Sequence, residues 1–159
     1  ELMRWHQESI KEKKFKGRGL YLPAPHAELI YAGKKVLILK DRKYNIGGEV
    51  FLIFDHDKAY GYAMLGKPIK INTKTEFINL QPLHGVTEEE FKKYKWKLPV
   101  YAYPVVQFMP FSRPKKMKVP RGVQNFLLDA ADYIVEESAL PPIAFLGERP
   151  VEILLEKTN

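Results

Sequence analysis

Two short apolar runs, separated by ten residues, constrain the fold more than any other feature of this sequence. They are "VLIL" at 36–39 and "VFLIF" at 50–54, both rich in β-branched residues and both apolar at every position. Successive side chains of a strand point to opposite faces, so a run without alternation is buried on both faces. Both runs are also too short for a typical helix. They therefore predict two buried strands, the first of them central in its sheet.

Three segments carry helix signals. Pro25 and Gly33 bracket "AELIYA" as a first-turn proline and a C′ glycine, which predicts a short helix there. Thr87 and Glu90 have the spacing of a capping box, which predicts a helix start and accounts for the Glu triplet without a metal. Apolar residues recur at helical spacing in 123–137, "VQNFLLDAADYIVEE", and predict a third helix.

Turn residues divide the remaining apolar sequence into strands. Gly47-Gly48 predicts a hairpin turn before the second run, and residues 55–57 predict a turn before a strand ending "YGYAML". The aromatic stretch 98–111 predicts a long strand that Pro104 and Pro110 place at an edge or a bulge. The fold class is therefore α+β, as a small β-barrel or curved sheet of mostly antiparallel strands with short helices at its ends.

The length of 159 residues suits one compact domain with extensions. We expect a charged N-terminal extension at 1–20, the domain at 21–137 and a C-terminal arm at 138–159, broken by prolines. Because the sequence starts at Glu1, we also expect it to be a region of a larger polypeptide. The terminal segments would then contact neighbouring proteins.

Several functional classes are disfavoured. No apolar run is long enough to cross a bilayer, and no cysteine is present to form disulfides or thiolate metal sites, so we expect a cytoplasmic protein with no membrane partner. No Walker or dinucleotide glycine motif appears. The four histidines, His6, His26, His56 and His84, lack metal-site spacing and are predicted to be structural or surface residues. We expect no cofactor and no metal.

The formal net charge of +7 comes from two basic clusters. The first, at 34–43, has five basic residues and one acid, and the second, at 110–121, has five basic residues and no acid. Cations can contact phosphates and neighbouring aromatic rings can stack on unpaired bases. The predicted nucleic-acid contacts are Lys34, Lys35, Lys40, Arg42, Lys43 and Tyr44 in the first cluster, and Arg113, Lys115, Lys116, Lys118 and Arg121 in the second.

The order of motifs in residues 21–112 resembles the ASCH domain of the PUA-like superfamily. "GKK" at 33–35 matches the G-x-K motif that ends a short helix in that family, and "GGEV" at 47–50 matches the following glycine motif with Glu49 in place of Asp. The resemblance implies a small pseudo-barrel with a cleft, beside the G-x-K helix, that receives RNA or a nucleoside.

Some ASCH proteins hydrolyse acetylated cytidine with a Lys, a Thr three positions later and a distant Glu. The resemblance places the Lys at Lys35 but the Thr at Ile38, which has no hydroxyl, and the usual Arg at Lys40. In a hydrolase, Glu49 or Glu76 would be the partner of Lys35. The missing hydroxyl favours a protein without catalysis.

The sequence therefore predicts a nucleic-acid-binding module that takes RNA in preference to duplex DNA. The alternatives are an interaction or assembly domain of a larger viral or mobile-element polypeptide, and a nucleoside-acting amidohydrolase. We expect residues 33–35 and 40–43 to lie at opposite ends of one strand, about 17 Å apart, so that only a polymer contacts both.

Overall fold

A computed structural model describes residues 15–135, with the side chain of Phe15 excepted. This part of the chain forms seven strands, four short α-helices and one 3-10 helix. In chain order they are β1 (Phe15–Tyr21), α1 (His26–Tyr31), β2 (Leu37–Lys40), β3 (Val50–Phe54), β4 (Lys58–Leu65), β5 (Ile69–Ile71), α2 (Lys74–Asn79), α3 (Gln81–His84), α4 (Glu88–Lys93), β6 (Val100–Lys116), β7 (Phe126–Leu127) and the 3-10 helix (Ala130–Tyr133).

The strands form one mixed sheet in the order β2-β6-β4-β3-β1-β7, with β5 also paired to β6. Only β1 and β3 run parallel. The sheet curls into an open half-barrel, so the α+β class holds but the predicted barrel is not closed. Strand β7 has only two residues, and the outer edge of β2 is directed to α3, where the Leu83 carbonyl accepts the Val36 N–H at 2.9 Å. The two end strands of this order, β2 and β7, do not pair with each other, so the barrel stays open.

Strand β6 spans 17 residues and connects the two parts of the sheet. Its first residues pair with β2 and β5, and the rest pairs with β4. The register with β4 shifts near Pro104 and again near Pro110. Proline has no N–H to donate to a strand ladder, and it is tolerated at such irregular positions because the regular hydrogen-bond pattern is already interrupted there. Of the two predicted alternatives, an edge or a bulge, the structure shows the bulge, because β6 lies inside the sheet.

Both apolar runs form buried strands, as predicted, except that Val36 lies before β2 and is 40% exposed. Strand β3 lies between β4 and β1, but β2 lies at the end of the strand order and is not central. It is buried because Leu37 and Leu39 pack against the helices α2 to α4, while Ile38 faces the barrel core. Gly47-Gly48 does not form the predicted hairpin, since β2 and β3 are not neighbours. A Cβ on Gly47 would lie 3.3 Å from the carbonyl oxygen of Gly66.

Residues 15–20, which we predicted to be part of an extension, form most of β1 within the sheet. Gly19 permits this because a Cβ there would lie 2.6 Å from the Cβ of Ala130 and 2.8 Å from the Phe54 ring. The segments 1–14 and 136–159 lie outside the described residues, so the proposed extension, arm and domain limits stay predictions.

The helix predicted over 123–137 is wrong where the chain is described. Phe126 and Leu127 form β7, which pairs antiparallel with β1, and only residues 130–133 are helical, as a 3-10 turn. Asp129 has a φ of 54°, in the left-handed region that ends a regular helix. Most of the apolar residues that suggested a helix are buried or half-buried, but Ala131 is exposed, and the others reach the core from a strand and its flanking turns.

The other two helix predictions are confirmed. α1 ends with Gly33 in the C′ position at a φ of 78°, and α4 starts with a complete capping box between Thr87 and Glu90. Within residues 15–135, no helix is long and apolar enough to cross a membrane.

Candidate nucleic-acid interface

A cleft of about 580 Å³ lies where the half-barrel is open, between β2 on one side and the end of β1 and the segment before β7 on the other. Helix α1 and the residues after α4 complete its walls. Its lining combines cationic and aromatic side chains. They are Lys35, Lys40 and Arg42, with Tyr21, Tyr44, Tyr94 and Trp96.

Lys40 and Asn125 connect the two sides of the opening. The Lys40 Nζ donates to the Asn125 Oδ1 at 2.6 Å, and the ring of Tyr44 packs edge-on against Phe126 with centroids 5.5 Å apart. Burial lowers the pKa of Lys40 to about 8, although the negative charge of Asp41 opposes this. Side-chain contacts thus hold together two strands that share no ladder.

Lys35 lies at the inner end of the cleft and is buried, with 3% of its surface exposed. Its Nζ donates to the carbonyl oxygen of His84. The pKa of Lys35 is lowered to about 7, mainly by burial. The positive charge of Lys40 also lowers this pKa, whereas the negative charge of Glu90 opposes the shift. A substantial neutral fraction of Lys35 therefore exists near pH 7.

His26 and Glu90 form a pair beside Lys35, with His26 Nε2 and Glu90 Oε2 2.9 Å apart. Burial, and then the charge of Lys35, lower the pKa of His26, so a neutral ring donates from Nε2. Its Nδ1 is buried and has no hydrogen-bond partner within the described part of the chain. His26, which the sequence predicts to be a structural or surface residue, is buried and also lines the cleft.

Glu90 makes two contacts, one with a residue that lines the cleft and one with the N-terminus of α4. Its Oε1 accepts the Thr87 N–H at 3.0 Å, while Oε2 contacts His26. Burial acts to raise the pKa of Glu90, but the hydrogen bonds from Thr87 and His26 and the charge of Lys35 outweigh it, so that pKa lies below its usual value. The sequence identified only the capping role.

His84 has a structural role, as predicted. It is fully buried, its Nε2 donates to the Phe77 carbonyl at 2.9 Å and its Nδ1 accepts the Val86 N–H at 2.9 Å. Both ring nitrogens are therefore occupied within the fold. Among residues 15–135, no cluster of three or more His, Cys, Asp or Glu side chains is arranged to hold a metal ion.

The structure brings together four residues of the first basic cluster: Lys35, Lys40, Arg42 and Tyr44 all line the cleft. Both ends of β2 therefore line one cavity, and the expectation that one small ligand cannot contact both ends stays a prediction. Lys34 is exposed and does not line it. Lys43 lies in a neighbouring hollow with Tyr44, Lys67 and Lys70.

The second basic cluster does not line the cleft. Its residues lie on the far end of β6 and in the loop after it, because the 17-residue strand carries them away from β2. Lys115 is largely buried, with its Nζ 4.6 Å from the centroid of the Phe111 ring. Whether this cluster contacts nucleic acid stays a prediction.

The glutamates expected beside Lys35 lie elsewhere. Glu49 is paired with Arg18 through two hydrogen bonds of 2.8 and 2.7 Å, and Glu76 caps α2. The glutamate whose charge acts on Lys35 is Glu90. Ile38 lines the cleft without a hydroxyl, as the sequence implied.

The lining residues that the sequence did not predict include Tyr21, Tyr94, Trp96 and Asn125. The rings of Tyr94 and Trp96 have centroids 5.3 Å apart. A usable signal existed in the aromatic spacing "YKW" at 94–96, directly after a helix whose start the capping box had located.

No protein-family model matches this sequence, and no curated protein matches it either. Among solved structures, the chain is similar to ASCH from Zymomonas mobilis, with a TM-score of 0.57 and 13% identity over 84% of this chain and 96% of that one. Two single-residue variants of the same protein give a TM-score of 0.57 with 13% and 15% identity, covering 84% of this chain and 96% and 99% of theirs. The fold is therefore that of an ASCH domain, which confirms the predicted resemblance at the level of the fold.

Proposed function

We propose that this chain is a nucleic-acid-binding module that holds a nucleotide of single-stranded RNA in the cleft between β2 and β1. One observation carries the proposal. The cleft places Arg42 and two lysines within one cavity of about 580 Å³ together with four aromatic side chains. Cations for phosphate and rings for bases are the two components that single-stranded recognition requires.

The size of the cleft favours an unpaired nucleotide. Small-molecule sites range over roughly 300–1,000 Å³, and the cleft falls within that range. A base inside a duplex is stacked on both faces and does not enter such a cavity without being extruded. The ASCH fold also supports this function, because the PUA-like superfamily is associated with RNA.

Arg42 is the residue on which the test depends. Its side chain is 70% exposed at the cleft margin, and the one ion pair that it makes with residues 15–135, to Asp41, is long at 3.7 Å. It is therefore available for phosphate. Lys40, by contrast, is buried and its Nζ is engaged with Asn125.

The experiment is fluorescence anisotropy with labelled single-stranded RNA, single-stranded DNA and an RNA duplex over a series of salt concentrations. We expect binding to RNA single strands that weakens with salt, and a loss of roughly tenfold or more for Arg42→Glu. Lys58→Glu is the charge-reversal control, because Lys58 is exposed, lies outside the cleft and belongs to neither basic cluster. No RNA binding at low salt, or equal losses for both variants, would contradict the proposal.

A nucleoside-acting amidohydrolase is a second candidate, favoured by one observation. Lys35 has a pKa of about 7 and lies near Glu90, so it can accept and release a proton at neutral pH. Ile38 opposes this candidate because it supplies no hydroxyl. Incubation with acetylated cytidine separates the two functions: we expect no turnover, and turnover that Lys35→Met abolishes would establish the enzyme.

A further inference from the structure

A second hollow, of about 600 Å³, lies on the other side of Trp96 from the cleft. Trp96 lines both cavities. The base of this second hollow is apolar, and lysines surround it. We call it the lysine groove, which is lined by four apolar or aromatic residues, four lysines and one glutamate: Phe77, Phe91, Trp96 and Leu98, then Lys74, Lys92, Lys95 and Lys97, and Glu88.

The lining of the groove contains four lysines and one acid, Glu88. Lys74 is paired with Glu88, with Nζ and Oε2 3.4 Å apart. Lys92, Lys95 and Lys97 are exposed and make no ion pair with any residue between 15 and 135. The rim is therefore electropositive, and an anionic occupant complements it.

The backbone at Lys95 supplies an independent observation. Lys95 directly follows Tyr94, the C-cap residue of α4, and has a φ of 58°. This is the C′ position, where helices favour glycine because a Cβ is disfavoured in the left-handed region. A lysine is therefore held in a strained conformation beside an aromatic hollow. Such strain is often found where a side chain has a functional task.

We propose that the lysine groove is a second subsite for the same RNA strand, holding the nucleotide next to the one in the cleft. This inference rests on the proposed function. Trp96 is the shared wall and its neighbours Phe91 and Phe77 form the apolar base, against which a nucleobase packs. Lys95 and Lys97 contact the connecting phosphates. Continuity with the cleft through Trp96 favours RNA over an acidic peptide.

The test compares ligands of two lengths. A nucleoside monophosphate fills the cleft alone, whereas a single-stranded hexanucleotide reaches both sites. We expect Lys95→Gly and Lys97→Ala each to weaken hexanucleotide binding several-fold and to lower the slope of log affinity against log salt by roughly 0.7. Monophosphate binding, followed by NMR, is expected to stay unchanged. Lys58→Ala is the matched control, since Lys58 is exposed and pairs with the opposite end of β6.

Lys95→Gly also separates binding from folding. Glycine relieves the left-handed conformation, so the denaturation midpoint is expected to stay equal or rise while RNA affinity falls. Unchanged hexanucleotide binding in both groove variants, with binding still lost in Arg42→Glu, would overturn the second subsite and leave the proposed function standing. Absence of RNA binding in the unsubstituted protein would instead overturn the proposed function, and this inference with it.

Discussion

The Lys40 Nζ lies 2.6 Å from the Asn125 Oδ1, and this hydrogen bond joins the two sides of an open half-barrel. Lys40 ends β2, and Asn125 precedes β7 at the other end of the strand order. The backbone carbonyl of Asn125 also accepts the Tyr21 N–H at 2.8 Å, so the same residue is fixed to β1. The Asn125 side chain and the Tyr44–Phe126 contact therefore hold the two sides of the cleft at a fixed separation.

Asn125→Ala is expected to destabilise the protein by about 1–3 kcal/mol, because it leaves a buried ammonium group without its acceptor. Lys40→Met is expected to cost less, since it removes the charge and keeps the length of the side chain. Urea denaturation measures both. Gln124→Ala, at the exposed neighbouring position, is the control, and a loss as large as that of Asn125→Ala would contradict the bridging role.

Stability is expected to rise with pH above neutrality. The pKa values of Lys35 and Lys40 are about 7 and about 8 in the fold, against 10.5 when unperturbed. Between these values the unfolded chain binds more protons, so the free energy of unfolding rises by about 1 kcal/mol per pH unit for each group. Urea denaturation between pH 7 and 9 measures it. In Lys35→Met the rise is expected to be smaller, and an equal rise would count against the shifted pKa.

Glu90→Gln is expected to lower the pKa of Lys35 further, because Glu90 is the charge that raises it. Nitrogen-detected NMR of the lysine side chains measures this titration directly. Glu76→Gln is the matched control: Glu76 occupies the same capping-box position in α2 but has no role at Lys35. Equal titration of Lys35 in the wild type and Glu90→Gln would refute the coupling.

Arg18→Ala is expected to destabilise the fold by about 1–3 kcal/mol. It leaves Glu49, which is 6% exposed, without its partner, and removes a guanidinium group 4.8 Å from the Phe126 ring centroid. Arg18→Lys is expected to recover only part of the lost stability, since lysine cannot form the bidentate pair of hydrogen bonds that Arg18 forms with Glu49. Thermal denaturation tests the order wild type, Lys, Ala. Full recovery by lysine would mean that charge alone matters.

Two glycine substitutions are expected to differ in cost. A Cβ on Gly61 would lie 2.4 Å from the Met109 carbonyl oxygen, in a strand where neither backbone can withdraw. Gly33 has a φ of 78° but nothing within 4 Å of the added atom. Gly33→Ala is therefore expected to cost about 1 kcal/mol from conformation alone, and Gly61→Ala several times more. Comparable denaturation midpoints would contradict the close packing of β4 on β6.

Local signals predicted the elements that local chemistry determines. The capping box of Thr87 and Glu90, the C′ position of Gly33 and the burial of β2 and β3 all follow from neighbours in the sequence, and the structure confirms them. The spacing of Phe126 and Leu127 failed as a helix signal. These two residues form the short strand β7, and the left-handed conformation of Asp129 prevents a regular helix from continuing through the residues after it.

The cleft was only half predictable, for a physical reason. Lys35, Lys40, Arg42 and Tyr44 belong to one basic cluster, and their composition indicated binding. Asn125 and Trp96 join them only because the sheet stays open, and no local pattern reports where a sheet fails to close. Glu90 was correctly assigned to capping, but each of its two oxygens has a different partner, and only the three-dimensional structure shows the second.

The long strand β6 has a consequence for how the molecule comes apart. It contributes Val100 and Ala102 to the core beneath the helices, Tyr103 to the barrel core, and Phe111 to the cluster at the far end. Three cores with one common strand cannot melt independently without breaking that strand. Amide hydrogen exchange is therefore expected to report a single, slowest-exchanging unit centred on β6, so that the walls of the cleft are lost together with the whole domain and not before it.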